Sequence, residues 1–205
     1  MVATWVKKVF DGVGVTQYPA GPHRKAIADH YGGRALLCID VSGSMSGQRL
    51  RAAIDGGGDF LTEATEAGYR CGLVLWDDRV VVHLRTGTPL PLLRARLLVA
   101  ASRGGTMLAP TVQAAIDELG ELTGDRVVCV FSDGGIGDPG PTGVLAARAR
   151  ALGIRFVVRG LGPMAGSGLA TVLEPDGDAA EQVITDVGGL RRGIASMVAD
   201  MRSGR

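Results

Sequence analysis

Five residues place small, hard oxygen atoms where the chain has just left an apolar run or is about to enter a helix. Three lie together in CIDVSGSMSG, residues 38–47, where Asp40, Ser42 and Ser44 alternate directly after the apolar ALLCI. If the chain stays extended there, all three point to one side. One carboxylate and two hydroxyls make an oxygen set of low charge. Such a set suits Mg²⁺, which takes oxygen ligands in octahedral geometry at about 2.1 Å and keeps several waters. The same residues also build ordinary turns and helix N-caps, and this stretch alone leaves the two readings level. Thr106, in SRGGTMLAP, follows two glycines and precedes a helical segment, so a Thr N-cap is its simpler local reading. Asp133, in VFSDGG, ends an apolar run, where an Asp-Gly turn is ordinary.

The elements around these residues decide whether they can meet. RALLCID is a short continuous apolar run, as expected of a strand buried on both faces; DRVVCVFSD reads as another buried strand and IRFVVRGLG as a strand. Between them, Leu50, Ala53, Ile54, Gly57, Leu61 and Ala64 recur at helical spacing and predict a helix from 47 to about 67. Gly56, Gly57 and Gly58 fall in its middle at a cost of about 1 kcal/mol each relative to Ala, which close packing against the sheet would explain. CGLVLWD and RVVVHL read as two strands joined by a tight hairpin at Asp77–Asp78, the second antiparallel. LPLLRARLLVAA, LAPTVQAAIDELGEL and GPTGVLAARARALG read as helices. GSGLATVLE reads as a short helix, EQVITD as a short strand and VGGLRRGIASMVADMR as a closing helix. This alternation predicts an α/β fold: a doubly wound, mostly parallel six-stranded sheet, one antiparallel edge strand, helices on both faces. In the order 3-2-1-4-5-6, ligands bind at the carboxyl ends of the two central strands, where the winding reverses. DVSGS and SDGG occupy those two ends. Residues 1–33, broken by Gly and Pro in DGVGVTQYPAGPHRK, read as an extension packed on the domain of residues 34–205, with a short strand around Trp5 to Phe10.

DVSGSM, GGT and SDG, in this order and on these elements, resemble the metal-ion-dependent adhesion site of von Willebrand factor A domains. The resemblance covers about residues 34–202, and no position of the motif is altered. It implies that Ser42, Ser44 and Thr106 are metal ligands, and that Asp40 and Asp133 bind directly or through water. It further implies an Mg²⁺ or Mn²⁺ ion whose open position takes a Glu or Asp from a partner protein. The GSM variant is similar to intracellular bacterial members that work beside AAA+ ATPases or in operon-encoded complexes, which gives the expectation of a cytoplasmic, non-enzymatic binding module.

Composition narrows the alternatives. The formal net charge is +1, which makes no electrostatic case for nucleic acid or a membrane surface. No apolar stretch approaches the roughly 20 residues of a membrane span, and MVATWVKKVFDG lacks the order of a secretory signal. Cys38, Cys71 and Cys129 each sit in or at the start of an apolar run and read as buried thiols. The main rival is a haloacid-dehalogenase-like phosphatase with Asp40 as nucleophile and Asp133 with Asp138 as its second acidic motif. Ser42 stands where that chemistry needs a general acid, and no lysine follows Lys25 to hold phosphate. A P-loop needs Gly-Lys-Ser/Thr, a serine hydrolase needs a nucleophile elbow and a later histidine, and neither occurs. His83, in VVVHL, reads as a strand histidine; Trp76 reads as a core aromatic before the hairpin; the arginines of GLRRGIASMVADMR read as a solvated helix face.

Overall fold

The structure, a computed structural model, describes residues 33–173 and 183–203. The extension expected over residues 1–33, with its strand around Trp5–Phe10, lies outside the described residues except for Gly33.

Among the described residues, six strands form one sheet: β1 (Arg34–Asp40), β2 (Arg70–Trp76), β3 (Val80–Leu84), β4 (Arg126–Ser132), β5 (Arg155–Leu161) and β6 (Val183–Ile184). Their order is β3-β2-β1-β4-β5-β6, parallel throughout except for the antiparallel β2–β3 pair. The expected strand order and the single antiparallel edge are therefore present. β1 is buried from Ala35 to Asp40, because it lies mid-sheet with helices on both faces, and this is why its sequence is a continuous apolar run. β3 buries only Val82, as an edge strand with one covered face does.

Among the described residues, six helices cover the sheet: α1 (Gln48–Glu66), α2 (Leu90–Leu98), α3 (Ala109–Leu119), α4 (Pro139–Ala151), α5 (Pro163–Leu173) and α6 (Val187–Ser203). Side chains alternate along β1. Ala35, Leu37 and Ile39 pack with Phe60 and Leu61 of α1, Leu97 of α2 and Ile194 and Met197 of α6. Leu36 and Cys38 pack on the other face with Val112 and Ile116 of α3, Ala146 and Ala149 of α4 and Leu169 of α5. Each fully buried large side chain contributes about 1.5–3 kcal/mol, so the sheet is clamped from both sides and its strand ends become fixed platforms. α5 begins earlier than the GSGLATVLE stretch, at Pro163, and the strand read from EQVITD covers only Val183–Ile184 among the described residues.

The triple glycine of α1 has two distinct causes and one exception. A Cβ on Gly57 would lie 2.7 Å from Ile39 Cδ1 of the sheet, and one on Gly56 would lie 2.7 Å from the Arg191 carbonyl of α6. Gly56 thus answers to a neighbouring helix and not to the sheet. A Cβ on Gly58 would meet nothing closer than Arg94, at 3.9 Å. α1 and α6 are further tied by Arg191 Nε to Asp59 Oδ2 at 2.6 Å; Arg192 is exposed, in keeping with a solvated face. Inside the sheet, the buried Arg159 of β5 pairs with Asp200 of α6. Trp76 and all three cysteines are buried, and the cysteines are free. Among the described residues no helix is long and apolar enough to cross a membrane.

Candidate metal centre

β1 and β4 are paired in register from Arg34–Arg126 to Ile39–Phe131, so the residues that follow, Asp40 and Ser132, emerge side by side at the carboxyl edge. The Asp40 carboxylate has no exposed surface. Its Oδ1 accepts the Ser42 backbone N–H at 2.7 Å, and its Oδ2 accepts the Ser132 hydroxyl at 2.5 Å. Beyond Asp40 the chain is steered by Val41 N–H donating to the Trp76 carbonyl (2.7 Å), and then turns into a short 3-10 segment, Gly43–Met45. Met45 is buried in the α1 face of the core, so it anchors that turn from below and leaves Ser44 exposed above.

An unbroken line of oxygens runs from this turn to β4. Ser42 Oγ lies 3.0 Å from Ser44 Oγ, and Ser44 Oγ donates to Asp133 Oδ1 at 2.7 Å. A hydroxyl has one proton, so with Ser44 committed to Asp133 it is Ser42 that donates to Ser44. Asp133 Oδ2 in turn accepts Arg49 Nη1 at 2.6 Å. Ser42 stands at the N-cap position of the 3-10 segment but makes no side-chain capping bond, and Thr106 lies before Leu108, the N-cap of α3. Burial pushes the Asp40 carboxyl up to about 6, against the hydrogen bonds from Ser132 and Ser42 that lower it. The neighbouring Asp133 charge pushes it up further.

Four of the five expected residues, Asp40, Ser42, Ser44 and Asp133, are therefore linked directly. Among the described residues no hydrogen bond joins the Thr106 hydroxyl to them. Its segment is held alongside by backbone bonds: Arg103 N–H to the Val41 carbonyl (2.7 Å), Gly43 N–H to the Gly104 carbonyl (3.2 Å) and Gly137 N–H to the Thr106 carbonyl (2.7 Å). Thr106 thus sits between the β1 loop and the β4 loop.

Four residues that support this arrangement were not singled out as site residues by sequence reasoning. Ser132 holds Asp40, as above. Asp77, buried, accepts Arg79 N–H at its Oδ1 (3.0 Å) and lies 3.5 Å from Arg103 Nε at its Oδ2, while its carbonyl accepts Met107 N–H at 2.9 Å. Gly104 has φ +69°, and a Cβ there would come within 2.9 Å of Asp77 Oδ2. Asp77 is thus a brace for residues 103–107 besides being a hairpin residue. Asp138 accepts Leu108 N–H and Ala109 N–H, both at 2.8 Å, on its two carboxylate oxygens. It caps α3 from across the site, which accounts for an acidic residue that the phosphatase reading had claimed. Arg49 lies in the first turn of α1, where a cation opposes the helix dipole; that misfit is the sequence signal that it has an anionic partner. His83, on β3, pairs its Nε2 with Glu118 Oε2 at 2.5 Å and ties the edge strand to α3. Glu118 is held below its usual range: burial would raise it, but the bonds from His83 and Thr86 outweigh that.

Residues 35–136 match the sequence model of the von Willebrand factor type A domain. No curated protein matches the sequence. Among solved structures, the chain is similar to a von Willebrand factor type A protein from Catenulispora acidiphila, with 17% identity, TM-score 0.65, and 83% of this chain and 43% of that one covered. It is similar to the conserved hypothetical protein BatB from Bacteroides thetaiotaomicron, with 16% identity, TM-score 0.66, and 84% and 100% covered. Proximal thread matrix protein 1 from the mussel byssus, solved with a zinc-occupied MIDAS motif, gives 16% identity, TM-score 0.65, and 82% and 45% covered. The chain thus spans less than half the length of the first and third of these proteins and the whole of the second. Residues 35–136, which hold β1 through β4 but for Arg34, thus match a von Willebrand factor type A domain, and the solved neighbours share the fold.

Proposed function

We propose that the domain is a metal-ion-dependent protein-binding module in which Asp40, Ser42, Ser44, Thr106 and Asp133 hold Mg²⁺ or Mn²⁺. The observation that carries this reading is the hydrogen-bonded line from Asp40, through the Ser42 backbone N–H and then the Ser42 and Ser44 hydroxyls, to Asp133. That line bridges the two strand ends where ligands bind in doubly wound sheets. The donor chemistry fits the ion. Three hydroxyls and two carboxylates are all hard oxygens of the kind these cations take, with no soft ligand among them. The Asp40 carboxyl, pushed up to about 6 by its burial, is a natural counter-charge for a cation. Among the described residues no three His, Cys, Asp or Glu side chains gather to hold a metal, so the proposed site draws on hydroxyls beside its two carboxylates.

When bound, the cation supplies a Lewis-acidic position that prefers an anionic oxygen from outside. The chain's own residues do the rest. Ser42 and Ser44 contribute oxygens without charge, leaving the site under-neutralised, and Ser44 faces solvent where a partner can approach. Von Willebrand factor A domains mediate protein–protein interactions, and a Glu or Asp of a partner is the group this site would take. The reading extends to a bacterial, cytoplasmic setting beside an AAA+ ATPase or another operon-encoded complex, on the strength of the GSM sequence alone. It also takes residues 34–205 as the domain and residues 1–33 as its extension. The phosphatase alternative gains nothing from the geometry, since the proposed nucleophile Asp40 has no exposed surface and both its oxygens accept hydrogen bonds.

Affinity capture with wild type and Asp40→Asn, each in Mg²⁺ and in EDTA, tests the proposal. The expected partner is retained only by wild type in Mg²⁺, and loses binding when one of its acidic residues is changed to Ala. A partner retained equally in EDTA and by Asp40→Asn contradicts it.

A further inference from the structure

We infer that Arg49 is a built-in competitor for the metal site, a positioning residue that lowers its cation affinity by holding Asp133. This rests on the metal reading above. Arg49 Nη1 donates to Asp133 Oδ2 at 2.6 Å and to the Ser44 carbonyl at 3.3 Å. Its side chain is 45% exposed, whereas that of Asp133 is fully buried. The carboxylate that a cation would draw on is therefore shared with a guanidinium, and that guanidinium is a permanent charge.

Two roles are open to such an arginine, and they predict opposite signs. As a scaffold, Arg49 would hold Asp133 in place, and its loss would weaken cation binding. As a competitor, it occupies a carboxylate oxygen and repels the incoming dication, and its loss would strengthen binding. The contacts favour the competitor. Asp133 is already held on its other oxygen by Ser44 at 2.7 Å, and Asp40 by Ser42 and Ser132. Assembly of the site therefore has supports other than Arg49. Arg49 is also the exposed, long-chained member of the group, reaching in from the first turn of α1, which carries no acidic residue of its own. A cation there is disfavoured by the helix dipole, so the attraction of Asp133 explains where the side chain sits. A competitor of this kind keeps the site from holding ions tightly on its own.

Mn²⁺ titration of wild type, Arg49→Gln and Arg49→Lys, by calorimetry and by the free-Mn²⁺ electron paramagnetic signal, tests the inference. Thermal melts in EDTA check that each variant is folded. Arg49→Gln should bind Mn²⁺ about fivefold more tightly at low ionic strength, the gain shrinking in high salt, and Arg49→Lys should stay within about twofold of wild type. Equal or weaker Mn²⁺ binding by a folded Arg49→Gln, with wild type binding normally, overturns the competitor role and leaves the metal reading standing. Absence of Mn²⁺ binding in all three proteins overturns both.

Discussion

Replacing Asp138 by Asn tests how the segment carrying Thr106 is held. The carboxylate accepts Leu108 N–H and the Thr142 hydroxyl on Oδ1, at 2.8 and 3.1 Å, and Ala109 N–H on Oδ2 at 2.8 Å. An asparagine keeps one acceptor oxygen but turns an NH₂ toward the other N–H. One donor at the start of α3 is then left unsatisfied, at about 1–3 kcal/mol. Loss of the negative charge beside the helix N-terminus adds about 0.3–1 kcal/mol. A total near 3 kcal/mol corresponds to a fall in Tm of about 6–12 °C for a domain of this size. Melts followed by circular dichroism in EDTA measure that fall without interference from bound cation. Because Asp138 acts on the segment and not on the ion, Mn²⁺ affinity should drop by about tenfold, as it does when a residue supporting a metal ligand is lost. A Tm within about 2 °C of wild type would refute the capping argument. Unchanged Mn²⁺ affinity in a destabilised variant would show that Thr106 is positioned by something other than α3.

Four other perturbations have signs that follow from the same geometry. Gly56→Ala should destabilise by about 1–3 kcal/mol, because its Cβ meets a backbone carbonyl of α6 at 2.7 Å. Gly58→Ala, two positions on with 3.9 Å to spare, should stabilise by about 0.5–1 kcal/mol; urea melts of both variants decide it. Gly104→Ala should weaken Mn²⁺ binding and leave the core folded, since a φ of +69° and a 2.9 Å clash with Asp77 both displace the loop; a native-like affinity would count against the loop's role. Cation affinity should fall about tenfold from pH 7 to pH 5, as a proton competes for Asp40, whose carboxyl is raised by burial to about 6. The stability contribution runs the other way. Without metal, a carboxyl whose pKa is raised on folding favours the folded state at low pH, and that stability is lost as pH rises through about 6. Tm in EDTA should gain from this group on lowering the pH from 7 to 5, and a flat profile in an otherwise matched Asp40→Asn control isolates it.

Much of the fold was legible because the strands bury both faces. RALLCID and RVVCVFS cannot alternate polar and apolar residues, and their continuous runs pointed to a parallel sheet whose order follows from the βα alternation. The four linked site residues were legible for the same reason, since a strand that stops at an acidic residue beside another such strand must bring the two together. What the chain order conceals is support that comes from far away in sequence. Asp138 caps a helix that starts 29 residues earlier, and local reading assigned the same cap to Thr106. Asp77 looked like one half of a hairpin, although its carboxylate and carbonyl brace a loop beyond α2. Gly56 looked like a sheet contact and proved to face α6, which is 132 residues away by the Asp59–Arg191 pair. The strand read from EQVITD shrank to two described residues at the sheet edge, where few neighbours enforce extended structure.

The central claim is that the oxygens of Asp40, Ser42, Ser44, Thr106 and Asp133 form one cation site. Mn²⁺ titration of wild type against Asp40→Asn tests it most directly. Asparagine is the right replacement because its carbonyl still accepts Ser42 N–H and its amide can donate to Ser132, so folding survives while the buried charge is removed. The account predicts one Mn²⁺ per chain in wild type, displaced by Mg²⁺, and no saturable binding in a variant whose melt in EDTA matches or exceeds that of wild type. Equal Mn²⁺ affinity in wild type and Asp40→Asn, or no binding in either, would contradict it.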